Sequence, residues 1–224
     1  MGSQCLQDTF QLYYDLYVGE ELGGDPDDWL AGDPIANYRE MMQGDQLGII
    51  ASWSGEWYRF GDDGGHPLPN RDEQLGHAKF PAQVPGAGLR GQDFVTISGG
   101  WMYSVNGASE NVDAAFDLLT HLMSQDTAIA YYQEVVPRPG GLPTRKDVAG
   151  SAEWQGLADD YMMWQVNELV PLTTYRPPLP TYPKVSEAVQ EATESLLLGE
   201  SVEDVVEAFR ADVTRIVGDE NVAP

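Results

Sequence analysis

Cationic residues are scarce in this chain of 224 residues: 12 Lys and Arg stand against 36 Asp and Glu, for a formal net charge of −24. Lys79, Lys146 and Lys184 are its three lysines. A nucleic-acid backbone or an anionic lipid surface needs a cationic footprint, so binding to either is excluded as an expectation. Cysteine is nearly absent. Cys5 stands alone, so no internal disulfide can form. The histidines His66, His77 and His121 are scattered without ligand spacing, so no metal site is expected. Long apolar runs are missing too. The longest, Leu47-Gly48-Ile49-Ile50-Ala51, is strand-sized and far short of the roughly 20 residues that cross a bilayer. Met1-Gly2-Ser3-Gln4-Cys5 carries neither a positive n-region nor an apolar h-region, and Cys5 does not read as a lipidated cysteine.

Catalytic and cofactor motifs are also lacking. There is no phosphate loop, no GxGxxG and no nucleophile elbow, and no cofactor is expected. Asp25, Asp27 and Asp28 sit close together, but the central glycine and distal glutamate of a calcium loop are absent, so a solvated loop is the expectation. The high acidic content itself has two readings: solubility with repulsion between copies, or adaptation to high salt, where carboxylates are screened.

What the chain does have is apolar periodicity and aromatics. Hydrophobic residues make up 42% and charged residues 21%, enough apolar content for a core and too little charge for a disordered chain. Leu6, Phe10, Tyr13, Tyr14 and Tyr17 recur at helical spacing and predict a helix to Leu22. Asp33-Pro34 opens a second helix, ending at Gly44. Gln46–Ser52 reads as a buried strand, Ser54–Phe60 as a short helix, and Asp62–Gln74 as a polar loop. Ala78–Ala82, Asp93–Ser98 and Trp101–Val105 read as strands. Ser109 and Asn111 are candidate caps of a helix whose apolar stripe is Val112, Ala115, Phe116, Leu118, Leu119 and Leu122. Helices follow over Thr127–Val135 and Trp154–Leu169, and Pro171–Pro183 is proline-rich and extended. Val185, Val189, Ala192, Leu196 and Leu197 then share a face, with Gly199 as the stop. Ser201 with Asp204 approximates a capping box ahead of Val202, Val205, Val206, Phe209, Val213 and Ile216. Helices dominate, with four or five strands, which predicts an α/β or α+β protein.

Six tryptophans and eleven tyrosines are many for this length. Trp53, Trp57, Trp101, Tyr103, Tyr175 and Tyr182 lie beside glycines or at expected strand ends. Flat aromatic faces suit the apolar faces of sugar rings, although core packing is the plainer reading of any one of them.

The order of segments carries a resemblance. Met41-Met42-Gln43-Gly44-Asp45-Gln46-Leu47-Gly48-Ile49-Ile50 resembles the helix–glycine–strand step of the extracellular solute-binding proteins of family 1, the maltose-binding type that serves ABC importers. Ser54-Gly55-Glu56-Trp57 resembles that family's glycine-plus-tryptophan turn, and Ile97 to Val105, through Gly99-Gly100-Trp101, its Gly-Gly strand break. Ser109, Asn111, Ala114 or Ala115, Phe116, Leu122 and Ser124 follow its helix pattern. Pro143-Thr144-Arg145 matches a Pro-x-Arg step, and Arg176 to Tyr182 with Gly199, Ser201, Glu203 and Asp204 is similar to its C-terminal signature.

The resemblance spans residues 6 to 217 and corresponds to the C-terminal half of such a protein. It implies a helix-rich α/β fold of the periplasmic-binding-protein type II. The chain would hold most of the second lobe plus part of the first, without the opening strands of the first lobe or a signal peptide. It further implies an apolar surface where the first lobe would lie. Implied partners are a carbohydrate ligand and the membrane permease subunits of an ABC importer. The setting would be extracellular or periplasmic, with the full-length protein membrane-tethered as a lipoprotein. The ligand residues that follow are Trp57 and Trp101, with Gly99, Gly100, Glu56, Tyr182, Arg176 and Trp53 near them, in an interlobe cleft and with no bond made or broken. Two alternatives stay open: a fragment of an acidic glycoside hydrolase using paired carboxylates, and a chain with no activity of its own.

Overall fold

The computed structural model describes residues 4–20, 22–30, 34–100, 102–135 and 142–222, the side chains of Asp28, Pro34 and Val135 excepted. In chain order these residues form α1 (Gln4–Tyr14), α2 (Pro26–Leu30), α3 (Pro34–Gln43), α4 (Glu56–Arg59), α5 (Arg71–Gln74), β1 (Phe80–Pro81), β2 (Phe94–Val95), β3 (Ile97–Ser98), α6 (Val112–Leu122) and α7 (Gln125–Val135). After them come α8 (Lys146–Ala149), α9 (Ala152–Gln155), α10 (Asp160–Trp164), β4 (Thr174–Tyr175), α11 (Tyr182–Leu197) and α12 (Val202–Val217). Helix predominates and the β component is small. The chain divides into two compact units, Met1–Ile50 with Pro177–Pro224, and Ala51–Arg176, so it passes from one to the other twice.

In the first unit, α11 and α12 pack together with α1. Val205, Val206, Phe209 and Val213 lie on one face of α12, and all four are buried against Ala188, Ala192 and Leu196 of α11 and Phe10 of α1. The Phe10 ring meets Phe209 edge-on, with centroids 5.5 Å apart. Each fully buried branched side chain here contributes about 1.5–3 kcal/mol of burial. The ends are defined chemically. Ser201 Oγ accepts from the Asp204 amide at 3.2 Å and donates to Asp204 Oδ2 at 2.6 Å. Gly199, at φ +90°, takes the left-handed conformation that stops α11. In α11 the inward residue is Ala188 rather than Val189, which is exposed. The expected first helix is present but changes character: α1 gives way to a π-helical turn over Asp15–Gly19. The Asp25 carboxylate accepts from the Asp27 amide at 3.0 Å, a local turn at the start of α2.

The second unit has its own core of Tyr132, Val148, Trp154 and Met162, with Tyr58, Ile129, Leu157 and Val166 packed around it. Ser151 caps α9 and Asp159 caps α10 through their side chains. The single helix expected over Trp154–Leu169 is instead broken: α9 ends at Gly156, α10 begins after Asp159, and a π-helical turn spans Gln165–Leu169. Within the expected helix, α9 has already ended at Gly156 and the Asp159 side chain caps a new start, a break that the apolar spacing alone conceals. Ahead of α6, Asn111 does not cap through its side chain. Ser109 Oγ accepts from the Asn111 amide at 3.1 Å instead.

The strands are shorter than expected. β1 pairs antiparallel with β2, Phe80 opposite Val95 and Pro81 opposite Phe94. β3 pairs in parallel with β4, Ile97 opposite Thr174 and Ser98 opposite Tyr175. Gln46–Ser52 is not a strand and is not buried: Ile49 is 87% exposed. Of the expected strand Trp101–Val105, residues 102–105 form none, and Trp101 lies outside the described residues. A strand exists only where a neighbour takes up its backbone donors and acceptors, and these apolar runs have no such neighbour among the described residues. The proline-rich stretch begins as a 3-10 turn over Val170–Leu172 and β4, and only residues 176–179 remain irregular before the turn into α11. The cap expected from Asp33 and the segment 136–141 also lie outside the described residues.

Candidate functional site

The second unit gathers aromatic side chains from three parts of the chain. Residues 53–56 turn so that the Glu56 amide donates to the Trp53 carbonyl at 3.1 Å, which opens α4 and places Trp57 in its first turn. The loop after α4 closes back tightly. A side chain at Gly64 would come within 2.1 Å of the Arg59 carbonyl oxygen, so this close approach requires glycine. The loop leads to α5, whose Arg71 holds Trp57 in two ways. Its Nη1 donates to the Trp57 carbonyl at 2.9 Å, and its guanidinium lies 4.4 Å from the centre of the Trp57 ring.

Trp57 lies 5.0 Å from Tyr161 of α10 and meets His77 edge-on at 5.7 Å. His77 is 4.5 Å from Trp164, and Tyr161 stacks on Trp164 at 6.0 Å with 20° between ring planes. Tyr161 and Trp164 are three residues apart on one helix, which puts both rings on the same face. An ion pair between Lys79 and Glu168, at 2.6 Å, ties the segment carrying His77 to the turn that follows α10. The Tyr58 hydroxyl donates to Asp159 Oδ1 at 3.0 Å. Burial, then the nearby Asp159 charge, pushes the hydroxyls of Tyr58 and Tyr161 above their ordinary range. The rings are therefore neutral flat surfaces with polar edges.

Beside Trp57, Glu56 is only 3% exposed. Its Oε1 accepts from Arg59 Nε at 3.2 Å, a pairing that offsets the cost of burying a carboxylate. Of the residues singled out from sequence, Glu56 and Trp57 are thus adjacent in this cluster. Trp53 is half-exposed at the turn that precedes them. Gly99 and Gly100 directly follow β3 and are exposed, with nothing within 4 Å of where a side chain would start. Arg176 is exposed just after β4, and Tyr182 is the first residue of α11 in the other unit. Trp101 lies outside the described residues.

The sequence does not mark Arg71, Tyr161 or Trp164 as site residues, and it offers His77 only as a metal ligand without ligand spacing. Tyr161 and Trp164 carry a usable signal, two aromatics at helical spacing in Asp160-Tyr161-Met162-Met163-Trp164. The role of His77 here is ring packing.

The polar groove of about 330 Å³ lined by Gln125, Asp126, Ile129, Ala130, Gln133 and Glu153 includes none of these aromatics. Its lining offers hydrogen bonds but no flat apolar surface. Among the described residues no group of three or more His, Cys, Asp or Glu is placed to hold a metal ion. No helix among them is long and apolar enough to cross a membrane. No known protein-family model matches the chain, and no curated protein matches it.

Proposed function

We propose that this chain is the carbohydrate-binding component of an ABC importer, with a periplasmic-binding-protein type II fold, which captures a sugar outside the cell and delivers it to membrane permease subunits. The observation that carries this reading is the setting of Trp57. The ring is half-buried, held by Arg71, grouped with Tyr161, and adjoins the buried Glu56, which pairs with the exposed Arg59. Aromatic faces take the apolar face of a sugar ring, and charged groups at their edge take hydroxyls. The twofold passage of the chain between two units also supports the reading, since two-lobed binding proteins are built from such crossings. In this reading Trp53, Gly99, Gly100 and Arg176 belong to the same binding region. No bond is made or broken.

The test is calorimetric titration of the chain with a panel of mono- and oligosaccharides, followed by recovery of the sugar. The expected result is binding, an intact sugar, and a loss of about tenfold or more in affinity for Trp57→Ala, equivalent to about 1.4 kcal/mol. Absence of binding across the panel overturns the proposal. Cleaved sugar would instead favour the glycosidase alternative, which needs two carboxylates facing one bond.

A further inference from the structure

The second unit contains a hydrogen-bond donor that its own structure leaves unused. Gln165 is 5% exposed, and its Nε2 is buried with no hydrogen-bond partner. Buried amide donors are nearly always paired, and leaving one unpaired costs about 1–3 kcal/mol. One reason to keep such a group is an acceptor supplied from outside the chain. Gln165 opens the π-helical turn Gln165–Leu169 that directly follows α10, a local widening of the helix that recurs at functional sites.

Its neighbours along the helix fall on two sides. Met162 and Val166 belong to the core around Trp154, which includes Tyr132 and Tyr58, yet Gln165 Nε2 is bonded to neither hydroxyl. Tyr161 and Trp164, four and one residues earlier, both take part in the aromatic group with His77 and Trp57. Residues at i and i+4 share a helical face, so Tyr161 and Gln165 do. Along the helix, the unsatisfied donor therefore falls between residues of that core and residues of the aromatic group that carries the binding proposal.

We infer that Gln165 is a ligand-binding residue: its Nε2 donates to a hydroxyl oxygen of the sugar held at the Trp57–Tyr161–Trp164 rings. This rests on the sugar-binding reading above. An N–H donor requires an acceptor, which excludes an ammonium group as the matching ligand atom. The chain's charge of −24 repels carboxylates and phosphates, which leaves a neutral oxygen as the acceptor, a hydroxyl where the ligand is a sugar. The aromatic faces select a ring with an apolar side, and Gln165 sets which of its hydroxyls must be present.

The experiment uses Gln165→Met, which keeps the length and removes the donor, and Gln165→Glu, which keeps the shape and replaces the donor with acceptors. Both are titrated with the best sugar from the panel and with its single-deoxy analogues, and both are melted without ligand. The expected result is about tenfold weaker binding for each variant. For one deoxy analogue the difference between wild type and Gln165→Met should disappear, because the hydroxyl that Gln165 serves is the one removed. The ligand-free melting temperature of Gln165→Met should hold or rise, since an unpaired donor has been deleted. Affinity within twofold of wild type in both variants, with a lowered melting temperature for Gln165→Met, overturns the inference and makes the amide a structural group. If the wild type binds sugar and Trp57→Ala weakens it while both Gln165 variants bind normally, only this inference fails. If the wild type binds no sugar, the functional reading itself fails and this inference with it.

Discussion

Helices α6 and α12 have comparable apolar stripes and very different surroundings. In α12 the stripe is buried: Val213 is fully covered and Phe209 is 6% exposed, against α11 and α1. In α6, Phe116 is 64% exposed and Leu118 57%, and no residue of the helix is buried. Helical periodicity states which face seeks burial, and tertiary contacts decide whether that face finds it. The contrast separates stability from surface. The α1–α11–α12 cluster is where substitutions should unfold protein, and the α6 face is where they should change adhesion.

The sharpest way to break this comparison is to cut into the two helical faces in turn. Leu196 is fully buried, so Leu196→Ala should lower unfolding free energy by about 2–5 kcal/mol in urea titration. A loss below about 1 kcal/mol would mean the cluster is not the stabilising centre.

Alkaline pH should act next, and mainly on the second unit. Burial, with Tyr131 nearby, pushes Tyr132 up to about 12, and burial raises Tyr58 and Tyr161 as well, from an ordinary 10.0. Because the folded values lie above the unfolded one, the neutral form is favoured in the folded state. Stability is therefore full below pH 10.0 and is lost as pH rises from there through the folded values, about 12 for Tyr132. Tyrosine ionisation followed by absorbance should track unfolding across that window. Free titration near 10.0 with no change in structure would contradict the burial of these rings.

A smaller effect is expected at the start of α12. Ser201→Ala removes the side-chain acceptor for the Asp204 amide and should cost about 1 kcal/mol in denaturant unfolding. An unchanged midpoint would show that Asp204 or solvent replaces the cap.

The smallest stability change belongs to α6. Phe116→Ser should alter unfolding free energy by no more than about 0.5 kcal/mol, since the ring is already exposed. Binding of a hydrophobic dye should fall, because an exposed apolar side chain is removed. A loss of several kcal/mol would place Phe116 in a core and erase the difference between the two helices.

These elements also show how much was legible in advance. The two C-terminal helices, their Gly199 stop and the Ser201 cap were readable because each depends on contacts within a few residues. The helix opened by Glu56 and the tryptophan after it were readable for the same reason. The buried strand expected at Gln46–Ser52 was not there. An apolar run has strand character only if another segment pairs with it, and pairing partners are distant in sequence. The break between α9 and α10 is hidden in sequence because a glycine stop and the Asp159 cap interrupt one continuous apolar pattern. The aromatic group was half legible: Trp57 was marked from sequence, but its neighbours Arg71 and His77 come from the loop that follows it and Tyr161 from a helix about a hundred residues later.

By itself, then, the sequence determined the strongly acidic charge, the lack of any internal disulfide, the helix-forming faces and the chemistry of their ends. All of these follow from composition or from interactions spanning one or two helical turns. Only the tertiary structure decided that one apolar face is buried and another exposed, that Arg71 seats Trp57 beside Tyr161, and that the Gln165 amide is left without an acceptor. Burial, ring packing and hydrogen-bond satisfaction depend on which distant segments arrive at the same place, and that information belongs to the folded chain as a whole.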